Sequence, residues 1–308
     1  MLKTLGARLL SLVLTLLIIS VVVYAIMLVV PGDRAQLIMG DAVAQSSYSM
    51  LSDQRPSYLE WLGSVLRLDF GQSAFASQSV AQLISSRIGV SLCLAILSLA
   101  MALLIAFAVV ALALMWPNAF TQALYKTLST LSLSLPSFVL SLVLVLVFPL
   151  GLGVLPSGGY VAAREDFGLW LTHMVLPVLS LGFMHSGLFM RLAFSSLRRE
   201  EGKSYMRLVA AKGSGRGRAL FIHGGGNILG ELLTLASQSL VSLFTSSAAV
   251  ESVFSIPGLG NLTVSAIARR DMATLMALVM LGAFFSALVG ALADTAAALR
   301  DRRRRLEA

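Results

Sequence analysis

The sequence is poor in cysteine, histidine and charge. A single cysteine, Cys93, excludes an intrachain disulfide and any cysteine-cluster metal site. The three histidines, His173, His185 and His223, are too scattered for metal-ligand spacing. Charged residues are 12% of the 308, against roughly 25% in a water-soluble domain. Too few polar residues remain to cover a water-facing surface. What is abundant is apolar: 57% of the chain is hydrophobic and its mean hydropathy is +0.86. The composition points to an all-α polytopic membrane protein.

The first apolar run covers residues 9–30. It is longer than the roughly 7–15 residues of a signal-peptide core, and no small-x-small cleavage site follows it. At about 1.5 Å per residue it covers roughly 33 Å, enough to cross a bilayer. It reads as a retained first transmembrane helix, 1–30. Five further apolar stretches, 90–116, 128–150, 173–194, 228–250 and 273–299, each predict a span. Between the first two spans lies a polar extracytoplasmic segment, 31–89. There Tyr58, Leu62, Val65 and Leu66 predict one face of an amphipathic helix.

Sixteen of the 23 Lys and Arg residues fall on the N-terminal side of this six-span scheme, seven on the other. The positive-inside bias places both termini in the cytoplasm. The basic tail, 301–308, then anchors topology and is not a nucleic-acid arm. The chain reads as one domain over 1–308, with a five-helix core at 90–300 and a wide cytoplasmic loop at 193–227.

That loop contains KGSGRGRALFIHGGGN, residues 212–227. An oxyanion hole needs a Gly-x-Ser-x-Gly nucleophile elbow, which the chain lacks. Gly202-Lys203-Ser204 imitates the end of a phosphate loop, but the required glycine at 197 is leucine. Gly213, Gly215 and Gly217 lack dinucleotide-binding spacing. No cofactor is expected on this chain, and it is not read as an enzyme. Three successive glycines cost a helix roughly 1 kcal/mol each, which predicts a break at Gly224. Glu231 and Asp294 lie near span ends and are expected to be hydrated; His185 is expected to be a hydrogen-bonded interior residue. An ion-coupled secondary transporter is the alternative class, but no pair of broken midplane helices is evident.

Four stretches carry a family resemblance: Val30-Pro31-Gly32-Asp33; SLPSF at 134–138 with LPSGGY at 155–160; SYMRLVAAKG at 204–213 with His223 and Asn227 beyond; and VESVFSIPGLGNL at 250–262. In order and spacing the chain resembles the permease subunits of the peptide/nickel ABC importer family, the dipeptide-permease B type. The resemblance implies a type I ABC importer transmembrane domain with six spans. It implies a second, C-type permease, two cytoplasmic ABC ATPases that hold ATP and Mg, an extracytoplasmic substrate-binding protein, and a peptide, nickel or metallophore substrate.

It also implies an ATPase-coupling loop of Tyr205, Arg207, Ala210, Ala211, Lys212, Gly213, His223 and Asn227. In that loop a short helix enters a groove on the ATPase. The Ala210-Ala211 patch allows close approach, Gly213 permits the terminating turn, and Arg207 and Lys212 pair with acidic groups. The other implied site is an outer gate of Glu251, Phe254, Pro257, Gly258, Leu259 and Gly260. Pro257-Gly258 suits a type II turn in which Gly258 has positive φ, and Glu251 is expected to pair with a neighbouring loop or the binding protein. An ordinary external turn is the alternative. The sequence departs from the family pattern at Leu208 and Val209, at Gly224–Gly226 and at Glu231.

Overall fold

The computed structural model describes residues 2–29, 57–73, 75–76, 78–213 and 215–307. Val30, Pro31, Gly32 and Asp33 lie outside the described residues, as do the side chains of Arg207, Ala210 and Asp294. The elements are helical: α1 Leu2–Val29, α2 Tyr58–Leu66, α3 Val80–Met115, α4 Ala119–Ser134, α5 Ser137–Val145, α6 Phe167–Glu201, α7 Ser204–Ala211, α8 Gly225–Val253, α9 Leu259–Ala268 and α10 Met272–Glu307. A π-helical turn, Leu146–Gly151, extends α5; another, Ala219–Gly224, leads into α8.

Among the described residues, four helical stretches are long and apolar enough to cross a membrane: Val80–Met115, Phe167–Glu201, Ala219–Val253 and Met272–Ala293. The expected span at 128–150 is not one straight helix. Its two pieces, Ala119–Ser134 and Ser137–Gly151, meet at 107° and make a fifth span if taken together. The cause is Pro136. The ring disfavours helical geometry in the residue before it, and Leu135 is extended at φ −88°, ψ 134°. Pro149 lies inside the π-turn, where its missing N–H leaves one fewer backbone bond to satisfy. In α1 the described apolar stretch is Leu10–Ile26.

The chain divides into two compact units, residues 1–89 with 261–291, and residues 90–260 with 292–308. In the first, the Ser20 and Tyr58 hydroxyls bond at 2.7 Å, and Tyr24, Tyr58 and Trp61 pack ring against ring, joining α1 to α2. Ser57 and Glu60 form a capping box that starts α2. Tyr58, Leu62 and Val65 are half-buried as the pattern predicts, but Leu66 is exposed. Asp271 caps α10 through Thr274 and also accepts from the Ser73 hydroxyl.

The second unit is built around α3, α6 and α8 and has two apolar clusters. One gathers Ala106 and Leu114 of α3, Phe189 and Leu197 of α6, Met206 of α7 and Ile228 of α8. The other gathers Leu94 of α3, Leu176 and Leu181 of α6, Val250 of α8, and Phe254 and Ile256 beyond it. Lipid is as apolar as these side chains, so close packing sets the helix contacts. Two glycines of α6 supply it. A Cβ on Gly182 would stand 2.8 Å from Met101 Cβ on α3, and one on Gly187 would overlap the Ser132 hydroxyl on α4. His185, between them, is not hydrogen-bonded as expected: its Nδ1 is buried without a partner among the described residues.

Candidate functional site

Two groups of sequence-predicted residues assemble in the second unit. The first lies where α6 ends. Glu200, in the last turn of α6, points its carboxylate at three partners. Its Oε1 accepts from Lys203 Nζ at 2.5 Å. Its Oε2 accepts from the Tyr205 hydroxyl at 2.5 Å and from Asn227 Nδ2 at 3.0 Å. Asn227 Nδ2 also donates to the Tyr205 oxygen at 3.0 Å, which closes a ring of three side chains. The Glu200 side chain is only 9% exposed, so water competes little for these bonds. Burial, then the bond to the Glu200 carboxylate, holds the Tyr205 phenol above its ordinary pKa.

Tyr205 belongs to α7, a two-turn helix with one face against the unit and one away from it. Met206 is buried in an apolar cluster, while Leu208, Ala211 and Lys212 are exposed. Gly213 has φ +81°, the left-handed geometry that ends a helix, as its sequence position predicts. His223 is exposed on the π-helical turn. The expected break at Gly224 does not occur. Gly224 is helical at φ −67°, ψ −45°, and the chain continues directly into α8. Gly224 is buried, and a Cβ there would stand 3.4 Å from Leu197 Cδ2 and 3.6 Å from Glu200 Cβ. Glu231, one turn past Asn227, accepts from Ser196 at 2.6 Å and from Arg199 at 3.3 Å; it is 47% exposed, consistent with a hydrated position.

The second group lies where α8 ends. Glu251 is completely buried. Its Oε1 accepts from Ser91 of α3 at 2.7 Å and from Ser247, one helical turn back, at 2.9 Å. The Ser91 oxygen in turn accepts from the backbone N–H of Leu259, the first residue of α9, at 2.7 Å. Ser91 therefore acts as an N-cap for α9 from another helix while donating to Glu251. Phe254, Ile256 and Leu259 are buried; Pro257 is exposed.

The turn differs from the expected one. Positive φ falls on Ser255, at 53°, and not on Gly258. Gly258 is required for space: a Cβ on it would overlap the Glu251 carboxylate, and one on Gly260 would overlap the Ala248 backbone. The LPSGGY stretch packs on the same place. Gly159 N–H donates to the Phe254 carbonyl at 2.8 Å, and a Cβ on Gly158 would stand 3.1 Å from that oxygen.

A family model described as the binding-protein-dependent transport system inner membrane component matches residues 105–306. The chain belongs to that family. It is similar to the glutathione transport system permease protein GsiC of Salmonella typhimurium, 31% identical over 93% of this chain and 94% of the relative. It is similar also to the oligopeptide transport system permease protein AppB of Bacillus subtilis, 29% identical over 94% of each. The protein is thus a multi-pass inner-membrane permease of an ABC importer, and the ion-coupled alternative is set aside.

The permease holds two residues at these sites that sequence reasoning missed. Glu200 carried a readable signal, since Lys203 stands three positions on, at ion-pair spacing for a helix. Ser91 carried none, because its partners are 160 and 168 positions away.

Proposed function

We propose that this permease pairs with a second, C-type permease to form a path for peptides across the inner membrane, driven by two cytoplasmic ABC ATPases. The chain crosses the membrane six times with both termini inside. ATP and Mg bind the ATPases, and this chain holds no cofactor. An extracytoplasmic binding protein delivers the substrate. Peptides are the class favoured by the printed names of the relatives, which specify glutathione and oligopeptides.

The observation that carries the mechanism is α7. It is a short helix ending in a left-handed glycine, with Leu208, Ala211 and Lys212 exposed on one side. That face suits a groove on an ATPase subunit. Lys212, with Arg207, supplies charge for acidic groups there. Nucleotide binding would draw the ATPases together and pull α7, changing which side of the path is open. The Glu251–Gly258–Gly260 turn, packed against LPSGGY, serves as the outer gate.

The test is co-expression with the candidate ATPases, second permease and binding protein, then purification and uptake of glutathione, dipeptides and oligopeptides into proteoliposomes. ATPase subunits that co-purify, with peptide uptake that requires ATP, support the reading. Charge reversal at Arg207 should make assembly more salt-sensitive. Peptide uptake without any ATPase would refute it.

A further inference from the structure

We infer that Glu200 is a positioning residue that straps α7 to the adjoining ends of α6 and α8, so that the three move as one piece. The inference rests on the reading of α7 as the helix that docks on an ATPase. Covalently, α7 reaches the helical run that begins at Arg216 and leads into α8 only through residues 212–215, with glycine at 213 and 215. Such a segment bends easily and transmits a push poorly. The side-chain ring bypasses it. Glu200 comes from the last turn of α6, Tyr205 from α7 and Asn227 from the first turn of α8. Each pair among the three is hydrogen-bonded, at 2.5, 3.0 and 3.0 Å.

A ring in which every member bonds the other two resists rotation of any one of them. One carboxylate oxygen serves both other members, so removing Glu200 frees α6 from α7 and α8 at once and leaves the Asn227–Tyr205 bond alone to hold those two. Lys203, on the other oxygen, fixes the carboxylate plane. The strap has a long reach. The helix that carries Asn227 in its first turn carries Glu251 in its last, about 36 Å away at 1.5 Å per residue. A displacement of α7 therefore arrives at the Glu251 turn through one continuous helix.

The experiment uses the reconstituted complex with Cys93→Ser as background, and spin labels at Ser204→Cys and Leu229→Cys, both exposed positions. The distance between labels should be narrowly distributed. Glu200→Ala and Tyr205→Phe should broaden it. Both should also lower the stimulation of ATP hydrolysis by the loaded binding protein about tenfold, the scale of one lost charge-assisted bond. Glu200→Gln keeps an acceptor oxygen for Tyr205 and Asn227 and should restore most of both readouts. The double variant Glu200→Ala/Tyr205→Phe should lose more than Glu200→Ala, because the Asn227–Tyr205 bond goes too, but less than the two single losses summed, because the Glu200–Tyr205 bond is counted in both. Narrow distances and full stimulation in all variants overturn the strap, as do losses that add. If Glu200→Ala fails to reach the membrane, Tyr205→Phe and Asn227→Ala decide. Failure of the docking reading shows separately, as a wild-type complex that retains no ATPase.

Discussion

The sharpest test of the buried turn is Gly258→Ala. Gly258 lacks positive φ, so alanine meets no backbone penalty there. The whole effect must come from one methyl group, which would overlap the Glu251 carboxylate. Either side can give way. If the carboxyl group moves, it loses its bonds from Ser91 and Ser247, and an intramolecular hydrogen bond is worth about 0.5–1.5 kcal/mol net. If the turn moves, overpacking costs about 1–3 kcal/mol and Leu259 loses its cap on Ser91. The cheaper route sets the cost, so a loss of about 2–3 kcal/mol is expected. At 1.4 kcal/mol per factor of ten, that is a shift of about 30- to 140-fold in population of the intact turn. The assay is thermal inactivation of the detergent-purified complex beside uptake in proteoliposomes, at equal membrane abundance. Glu251→Ser alone should also be costly. Combined with Gly258→Ala, however, it should cost less than the sum, because the smaller side chain leaves room for the methyl. Wild-type melting and uptake in Gly258→Ala would refute the close approach, and strictly additive losses would refute its assignment to Glu251.

Three further outcomes are expected. Gly213→Val should lose ATPase co-purification, since left-handed φ costs a side chain about 1–2 kcal/mol, while Gly213→Asn should retain most of it; equal retention by both would show that the α7 terminus relaxes freely. Gly187→Leu should destroy the contact of α6 with Ser129, Ser132 and Leu133 of α4, giving an aggregated profile in size-exclusion chromatography; a monodisperse peak refutes the packing. Reporter fusions after Gly158 and Pro257 should read outside and fusions after Lys212 and Arg302 inside; an inside signal at Gly158 sinks the six-span arrangement.

The long apolar helices were legible because lipid leaves the chain few options: a long apolar run must satisfy its own backbone, and a helix does so. Less legible was whatever depended on a distant partner. The apolar run at 128–150 gave no hint of a 107° bend, since one proline in a span reads as a tolerated kink until the neighbouring packing is known. The break expected at Gly224 weighed only the local cost of glycine, and could not see that Gly224 is buried beside Leu197 and Glu200 of α6. The bond from Ser91 to Glu251 was not legible, because the two lie 160 residues apart.

Glycine itself was readable as a residue but not as a reason. Gly213 and Gly258 both sit in turns, and sequence assigned left-handed geometry to both. It holds at Gly213, where φ is +81° and a Cβ would meet nothing within 4 Å. At Gly258 the backbone is ordinary and the space is filled. The two causes call for opposite remedies. Asparagine tolerates left-handed φ and so can replace a glycine that is needed for its backbone. No side chain can replace a glycine that is needed for its emptiness, unless the group it faces is cut back as well. A substitution series at both positions, with and without Glu251→Ser, therefore separates conformation from contact: Gly213 should follow the φ tolerance of the new residue and ignore position 251, and Gly258 should follow the size of the side chain at 251.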